Sequence, residues 1–233
     1  MPSRERAQAL ILAGKVLVNE QKVEKAGANV ETGCAIRLLG EDLKYVSRGG
    51  LKLEKALSHW QIDVTGKTCV DIGASTGGFT DCLLQHGAAR VIAVDTGQGQ
   101  IHNRLRQDSR VHLLENTNAR YLTREQLGKP ADLIAIDVSF ISATLVVPAA
   151  VAAAFLPGPK PRHLIVLVKP QFEVGREQVG KGGIVKDAAA QQFAVEKVRA
   201  SIEQLHCGSI DVIDSPILGA EGNREFLLHA VFV

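Results

Sequence analysis

From Thr68 onward the sequence alternates between short apolar runs and stretches with helical spacing, and this alternation limits the possible folds more than any other feature. The apolar runs predict seven strands, at 68–72, 91–94, 111–115, 133–136, 164–168, 210–213 and 226–233. The stretches between them predict helices near 79–86, 100–107, 141–155 and 188–205, the third kinked at Pro148. Strands that alternate with helices form a mostly parallel sheet covered on both faces. The expected fold class is therefore α/β.

The first forty residues follow a different pattern, which is typical of a small α+β unit. Helical spacing predicts a helix over 4–13, with Ser3 as its N-cap and Gly14 at its end. Short strands are expected at 15–18 and 35–39. The predicted organisation is a small module over 1–40, a linker over 41–46 and a large domain over 47–233.

Charge is spread unevenly, although the net charge of the chain is only +2. Residues 1–60 carry ten Lys or Arg against seven Asp or Glu, whereas the remainder carries 17 against 18. A basic first segment suggests a polyanionic partner. The hydrophobic fraction of 45% is high enough for a sizeable core and excludes a disordered chain.

Cysteine usage argues against a disulfide framework and against a zinc site. Cys34, Cys69, Cys82 and Cys207 form no C-x-x-C pair and have no histidine at ligand spacing, so we expect reduced thiols and no metal. The first residues do not resemble a signal peptide, and the most apolar stretch, 145–156, is too short to span a bilayer. We therefore expect no membrane partner and a cytoplasmic location.

A glycine-rich loop, VDIGASTGGF, joins the first strand of the large domain to a helix. Its glycines allow a tight turn and a close approach to a ligand at the helix N-terminus. Ser75 occupies the place of the second glycine of a dinucleotide-binding motif, and Asp71 suits a cationic or amino-acid ligand better than a pyrophosphate. The loop therefore favours S-adenosylmethionine over NAD, with a plain turn as the alternative. The predicted ligand-binding residues are Asp71, Gly73, Ala74, Ser75, Gly77, Gly78 and Phe79.

Polar residues also follow the next two strands. Asp95 comes roughly twenty positions after Asp71, where nucleotide-binding folds place a ribose-binding carboxylate. Glu115 and Asn116 follow the third strand and are candidates for contacts to an adenine edge, with a solvated turn as the alternative.

Asp137 and Lys169 place charges directly after the fourth and fifth strands. Open α/β sheets bind ligands at the carboxyl ends of their parallel strands. A lysine that follows a buried strand is costly unless it is paired or functional, and a desolvated lysine loses its proton more readily than a surface one. A structural ion pair between the strand ends is the alternative. A glycine-rich stretch, 173–186, predicts a mobile loop beside the site.

Four motifs in this order resemble the TlyA, or hemolysin A, family: YVSRGGLKL, DIGASTGGFT, VKPQFEVG and GNREF. That family joins an S4-type RNA-binding module to an FtsJ-like methyltransferase domain with a Rossmann-like, class I fold. The resemblance implies 2′-O-methylation of a cytidine ribose in ribosomal RNA with S-adenosylmethionine as cofactor. The implied partner is ribosomal RNA or a ribosomal subunit.

The resemblance also implies a catalytic Lys-Asp-Lys-Glu tetrad, which the matching motifs assign to Lys52, Asp137, Lys169 and Glu225. In this interpretation Lys169 helps to deprotonate the ribose 2′-hydroxyl, and the other three orient it. Asp137 is also predicted to contact the cofactor. Lys55 is the alternative to Lys52, and the preceding SRGG motif favours Lys52.

The first segment resembles an S4 module, and its predicted RNA-binding residues are Arg4, Arg6 and Lys15, with Arg48 in the second domain. Such cations position RNA through its phosphates. The family's module opens with one further helix, so we expect a shortened module or a start further upstream. The short tail after Glu225 favours the family type that acts on large-subunit RNA.

Two other functional classes remain open. A non-catalytic RNA- or ribosome-binding assembly factor would keep the fold and bind the donor without turnover, but the intact tetrad argues against it. A secreted pore-forming toxin is suggested by the family's older name, but the lack of a signal peptide and of a membrane segment disfavours it. The sequence leaves the oligomeric state undetermined.

Overall fold

A computed structural model of the chain describes residues 3–39, 44–219 and 222–233. The chain divides into two compact units, Met1–Leu43 and Lys44–Val233. The domain boundaries at 40, 46 and 47 remain predictions.

The small unit combines a helix with a three-stranded antiparallel sheet. Helix α1 spans Arg4–Leu12, and the strands are β1 (Val16–Val18), β2 (Gln21–Lys22) and β3 (Ile36–Leu38), in the order β2-β1-β3. Gly14 has a φ of 64° and reverses the chain after α1, as its position in the sequence predicts. Strand β2 is missing from the prediction because two polar residues carry no periodic signal.

The large unit contains one seven-stranded sheet. Its strands are β4 (Thr68–Ile72), β5 (Arg90–Val94), β6 (Val111–Leu114), β7 (Leu133–Ile136), β8 (Arg162–Val168), β9 (Ser209–Asp214) and β10 (Phe226–Phe232). They lie in the order β6-β5-β4-β7-β8-β10-β9. The first five are parallel, and β10 is antiparallel to both of its neighbours. The predicted mostly parallel α/β sheet is confirmed.

Alternate residues of the buried strands point to opposite faces of the sheet, and both faces are apolar. Helices therefore cover the sheet on both faces. On one face α2 (Gly49–His59) and α3 (Gly78–Gln85) pack in a core that includes Cys69. On the other, α6 (Val147–Ala154) and α8 (Ala188–Glu203) pack in a core that includes Val70. The shorter helices are α4 (Asn103–Arg106), α5 (Arg124–Leu127) and α7 (Pro170–Glu173).

The predicted kinked helix at 141–155 is wrong. A 3₁₀ turn at Ala143–Leu145 comes first, and α6 begins at Val147, so Pro148 lies in its first turn. A proline is tolerated there because an N–H in the first turn has no intrahelical partner to lose. None of the described helices is both long and apolar enough to cross a bilayer.

Candidate active site

The loops after β4, β7 and β8 and the first turns of α2 and α3 surround one cavity of about 450 Å³. Parallel strands bring their carboxyl ends to the same edge of a sheet, and this edge is the usual ligand site of open α/β folds. The predicted site residues that line the cavity are Arg48, Lys52, Gly73, Ala74, Ser75, Gly78, Phe79, Asp137, Lys169 and Glu225.

Two glycines of the loop after β4 are required by close approaches of the backbone. Gly73 has a φ of 84°, and a Cβ there would lie 2.3 Å from the backbone oxygen of Asp137. Gly77 has a φ of 96°, and its Cβ would lie 2.3 Å from a methyl group of Leu105. Side chains at these positions would push the loop away from β7 and α4.

Asp71 lies beneath this loop rather than in the cavity. Its side chain is fully buried, and Thr80 Oγ1 donates a 2.6 Å hydrogen bond to Oδ2. Oδ1 has no hydrogen-bond partner within the described ranges. Burial, together with the nearby Asp137 and Asp95 carboxylates, raises the pKa of Asp71 to about 7. In this structure Asp71 links β4 to the first turn of α3, and its predicted role in ligand binding remains a prediction.

Asp95, Glu115 and Asn116 follow β5 and β6 and do not contribute to the described cavity lining. Asp95 accepts hydrogen bonds from the backbone N–H groups of Ser75 and Gly97, each 2.7 Å long. The bond from Ser75 anchors the glycine-rich loop to the end of β5. Glu115 pairs with Arg106, whose hydrogen bond lowers the pKa of the carboxyl. Asn116 is exposed in a left-handed conformation.

Lys169 and Asp137 form an ion pair inside the cavity, with Nζ 2.6 Å from Oδ1. Each follows the last residue of a parallel strand, β8 and β7 respectively, and these two strands are neighbours. Lys169 Nζ also donates a 2.9 Å hydrogen bond to Ser139 Oγ. Asp137 Oδ1 has no hydrogen-bond partner within the described ranges, so the hydrogen bond to Ser139 sets the direction of the amine and Asp137 supplies the opposite charge.

Lys52 and Glu225 form a second, more deeply buried ion pair, with Nζ 2.5 Å from Oε2. Lys52 lies on α2, and Glu225 directly precedes β10. Lys55 is exposed and lines a separate groove, so the structure brings Lys52 rather than its rival into the cavity. The four residues of the predicted tetrad thus line one cavity as two ion pairs.

The predicted RNA-binding residues lie in both units. Arg4 and Lys15 are exposed in the small unit, whereas the side chain of Arg6 lies outside the described residues. Arg48 is exposed at the cavity, directly before α2.

Sequence reasoning missed two phenylalanines of the cavity. The side chain of Phe140 is 93% exposed, and its φ is 65°, in the left-handed region. Its ring centroid lies 5.4 Å from that of Phe172. Both rings line the cavity that contains Lys169. The available signal was the position of Phe140, four residues after the end of the predicted strand 133–136 and three after the charged residue Asp137.

Clusters of three or more His, Cys, Asp or Glu side chains suited to a metal ion are absent from the described part of the chain. The lining of the cavity includes instead the glycine-rich turn after β4, two lysine–carboxylate pairs and aromatic rings.

Comparisons with known proteins match a different family to each of the two compact units. The FtsJ-like methyltransferase family matches residues 45–232, and the S4 domain family matches residues 2–34. The 16S/23S rRNA (cytidine-2′-O)-methyltransferase TlyA of Mycobacterium tuberculosis is 44% identical over 227 residues, which cover 97% of this chain and 83% of that protein.

Two further similarities extend the comparison. The 23S rRNA (cytidine-2′-O)-methyltransferase TlyA of Campylobacter jejuni is 35% identical over 205 residues, which cover 85% of this chain and 75% of that protein. A solved structure from Streptococcus thermophilus, provisionally named a hemolysin, has a TM-score of 0.77 and 42% identity. The match covers 99% of this chain and 83% of that one.

Proposed function

The chain belongs to the FtsJ-like methyltransferase family, and on that premise we propose that it methylates the ribose 2′-hydroxyl of a cytidine in ribosomal RNA. The observation that carries the proposal is the ion pair of Lys169 and Asp137 in the cavity that the glycine-rich loop also lines. A ribose hydroxyl is a weak acid, so its methylation needs a base that accepts its proton. The amine of Lys169 lies in a cavity large enough for a ligand and can serve as that base.

The cavity suits S-adenosylmethionine as the methyl donor. Its volume lies within the range of about 300–1,000 Å³ that is usual for small-molecule sites. Gly73, Ala74 and Ser75 would hold the donor with their backbone, and the carboxylate of Asp137 complements its positive charge. When bound, S-adenosylmethionine supplies a methyl group that the sulfonium activates.

Lys169 acts as the general base in the proposed reaction. In the reactive state, after the ammonium of the ion pair has released its proton to solvent, the Lys169 amine accepts the 2′-hydroxyl proton at Nζ while the ribose oxygen gains the methyl group. Ser139 directs that nitrogen through a 2.9 Å hydrogen bond, and Asp137 lies 2.6 Å from it as the opposite charge. Positioning contributes at least as much as basicity, because a reacting pair held in line avoids the entropy cost of meeting.

Lys52 and Glu225 complete the polar wall of the cavity. Glu225 neutralises Lys52 in a site where an isolated charge would be costly, so the ammonium group stays ordered. The ammonium group of Lys52 orients the ribose oxygens and stabilises the negative charge that develops on the 2′-oxygen.

The RNA is bound through its phosphates by Arg4, Arg6, Lys15 and Arg48. The names of both TlyA relatives include 23S ribosomal RNA, which supports large-subunit RNA as the substrate. A cytoplasmic location follows from this substrate and belongs to the same proposal.

The test uses purified protein, methyl-labelled S-adenosylmethionine and unmethylated ribosomal subunits, each assayed separately. We expect label in a cytidine ribose of the large-subunit RNA. Lys169→Ala should reduce the rate by about 10²–10⁴-fold, with donor binding by calorimetry unchanged. Lys129→Ala removes an exposed lysine elsewhere and serves as the matched control.

Three results would count against the proposal. Label on a base rather than on a ribose would exclude 2′-O-methylation. Label only in the small subunit would overturn the large-subunit assignment. Donor binding without label in either subunit would favour a non-catalytic assembly factor.

A further inference from the structure

Glu173 is a buried acidic residue that the proposed reaction leaves unused. It is the last residue of α7, four positions after Lys169, and its exposure is only 4%. A buried carboxylate is costly unless it is hydrogen-bonded and paired, so its contacts indicate what the protein gains from it.

Both carboxylate oxygens of Glu173 accept hydrogen bonds from the segment that follows β7. Oε1 accepts the backbone N–H of Ala143 at 2.7 Å, and Oε2 accepts the Ser142 hydroxyl at 2.5 Å. Lys197 on α8 lies 3.6 Å from Oε2 and donates a 2.7 Å hydrogen bond to the Glu173 backbone oxygen. Burial raises the pKa of Glu173, and these three contacts oppose the rise.

These contacts join the two chain segments that carry the Lys169–Asp137 pair. The ladder between β7 and β8 pairs Ile136 with Val166 and ends there, before either charged residue. Past that point β8 remains paired only with β10, as far as Val168, and the chain after Asp137 leaves the sheet. The side chain of Glu173 bridges the two segments, 30 residues apart at Ala143.

We propose that Glu173 is a positioning residue that sets the distance between Lys169 Nζ and the oxygens of Asp137 and Ser139. Its contacts to Ser142 and Ala143 hold the segment after β7 against α7, which begins directly after Lys169. The inference rests on the proposed function, in which Lys169 is the base. A carboxylate suits this bridge because its two acceptor oxygens serve a hydroxyl and a backbone N–H at once.

The predicted signature is a loss of kcat with little change in binding. The glycine-rich loop lies after β4, on the opposite side of β7 from β8, and the hydrogen bonds and ion pair described for Glu173 go to Ser142, Ala143 and Lys197 instead. Loosening the bridge would therefore misplace Lys169 while the donor site stays intact. A displacement of about 1 Å can cost about 100-fold in rate.

The experiment compares Glu173→Ala, Glu173→Gln and Ser142→Ala with Glu177→Ala, an exposed glutamate on the same stretch of chain. We expect Glu173→Ala to lower kcat by about 10–100-fold, with the donor Kd and the RNA KM within about twofold of wild type. Glu173→Gln keeps an oxygen for Ala143 and should recover part of the rate, Ser142→Ala should lose severalfold, and Glu177→Ala should match wild type.

A crystal structure of Glu173→Ala gives a readout that does not depend on activity. We expect the separation between Lys169 Nζ and Asp137 Oδ1 to exceed hydrogen-bond distance. If Glu173→Ala does not fold, the same distance and the kcat are measured in Glu173→Gln and Ser142→Ala.

Two outcomes would overturn the inference. One is a folded variant whose kcat and Lys169–Asp137 distance are those of wild type. The other is a fall in kcat accompanied by an equal loss of donor affinity, which is general damage to the site. A wild-type protein without activity on RNA would instead refute the proposed function, and the crystallographic distance would then decide the role of Glu173 alone.

Discussion

Lys52 and Glu225 are 173 positions apart in the sequence, yet their side chains form a buried ion pair with Nζ 2.5 Å from Oε2. One residue lies on the first helix of the large unit and the other directly precedes strand β10. The pair therefore links the two ends of this unit at the cavity.

Removing one partner of this pair should destabilise the protein more than removing both. Lys52→Met leaves the Glu225 carboxylate buried and unpaired, and we expect the free energy of unfolding to fall by about 3–5 kcal/mol. The double variant Lys52→Met, Glu225→Leu should recover most of that loss and still lack methyl transfer. Urea denaturation measures the first effect and the labelling assay the second. Lys55→Met, on the exposed side of α2, is the control, and single variants as stable as wild type would contradict the prediction.

Asp71→Asn should stabilise the protein increasingly as the pH rises. The folded-state pKa of Asp71 is raised from 3.8 to about 7, so its stabilising contribution is complete below pH 3.8 and is lost as the pH rises through about 7. Asparagine still accepts the Thr80 hydroxyl and carries no charge. The gain relative to wild type should grow between pH 4 and 8, by about 1.4 kcal/mol for each pKa unit.

Urea denaturation at a series of pH values measures this gain. Asp63→Asn is the comparison, because hydrogen bonds from Thr65 lower the pKa of Asp63 and give its contribution the opposite sign. A gain that is constant with pH for Asp71→Asn would show that the carboxyl is ionised throughout.

A histidine pair between β8 and β10 should make the protein sensitive to acid. His163 Nδ1 lies 3.0 Å from His229 Nε2, and the ring of Trp60 lies 4.8 Å from that of His229. Burial and the neighbouring His163 lower the pKa of His229 to about 4. The stability that neutral His229 contributes is therefore complete above pH 6.5 and is lost as the pH falls through about 4.

His229→Phe should flatten the fall in unfolding free energy between pH 6.5 and 4, because an uncharged ring has no proton to bind. His112→Phe, at an exposed position on β6, should leave the fall unchanged. Equal pH profiles for wild type and His229→Phe would refute this assignment.

Phe140→Gly should raise the stability of the protein and weaken its binding of RNA. Glycine adopts the left-handed conformation of Phe140 without strain, and the exposed ring buries little, so we expect a gain of about 1 kcal/mol. We expect the exposed ring to stack on a base of the RNA, so the KM for RNA should rise severalfold with the donor Kd unchanged. Phe140→Leu keeps a side chain but no flat surface. A Phe140→Gly variant with wild-type RNA affinity would remove the ring from the binding surface.

The sheet could be predicted because its strands are apolar runs between polar turns. The helix Gly49–His59 escaped prediction because it begins with two glycines and carries three lysine or glutamate residues in its middle. Its buried residues Leu53, Ala56 and Leu57 are nevertheless spaced by three and four, which was the usable signal.

The site was less accessible to sequence reasoning than the fold. Asp137 and Lys169 could be found as charges after apolar strands, whereas Lys52 and Glu225 emerged only from resemblance, because their pairing depends on strand order. The burial of Glu173 could not be predicted, since its partners Ser142 and Ala143 lie 31 and 30 residues away, in a turn that shows no periodic pattern.

The insertion of β10 between β8 and β9 sets the order in which the site can be completed during synthesis. Strand β8 precedes β10 by more than fifty residues, so its outer edge stays unpaired while the intervening chain leaves the ribosome. Lys169 and Asp137 can meet early, but Lys52 gains its partner only once Glu225 has been translated. A nascent chain that ends before Glu225 therefore lacks the second ion pair of the cavity.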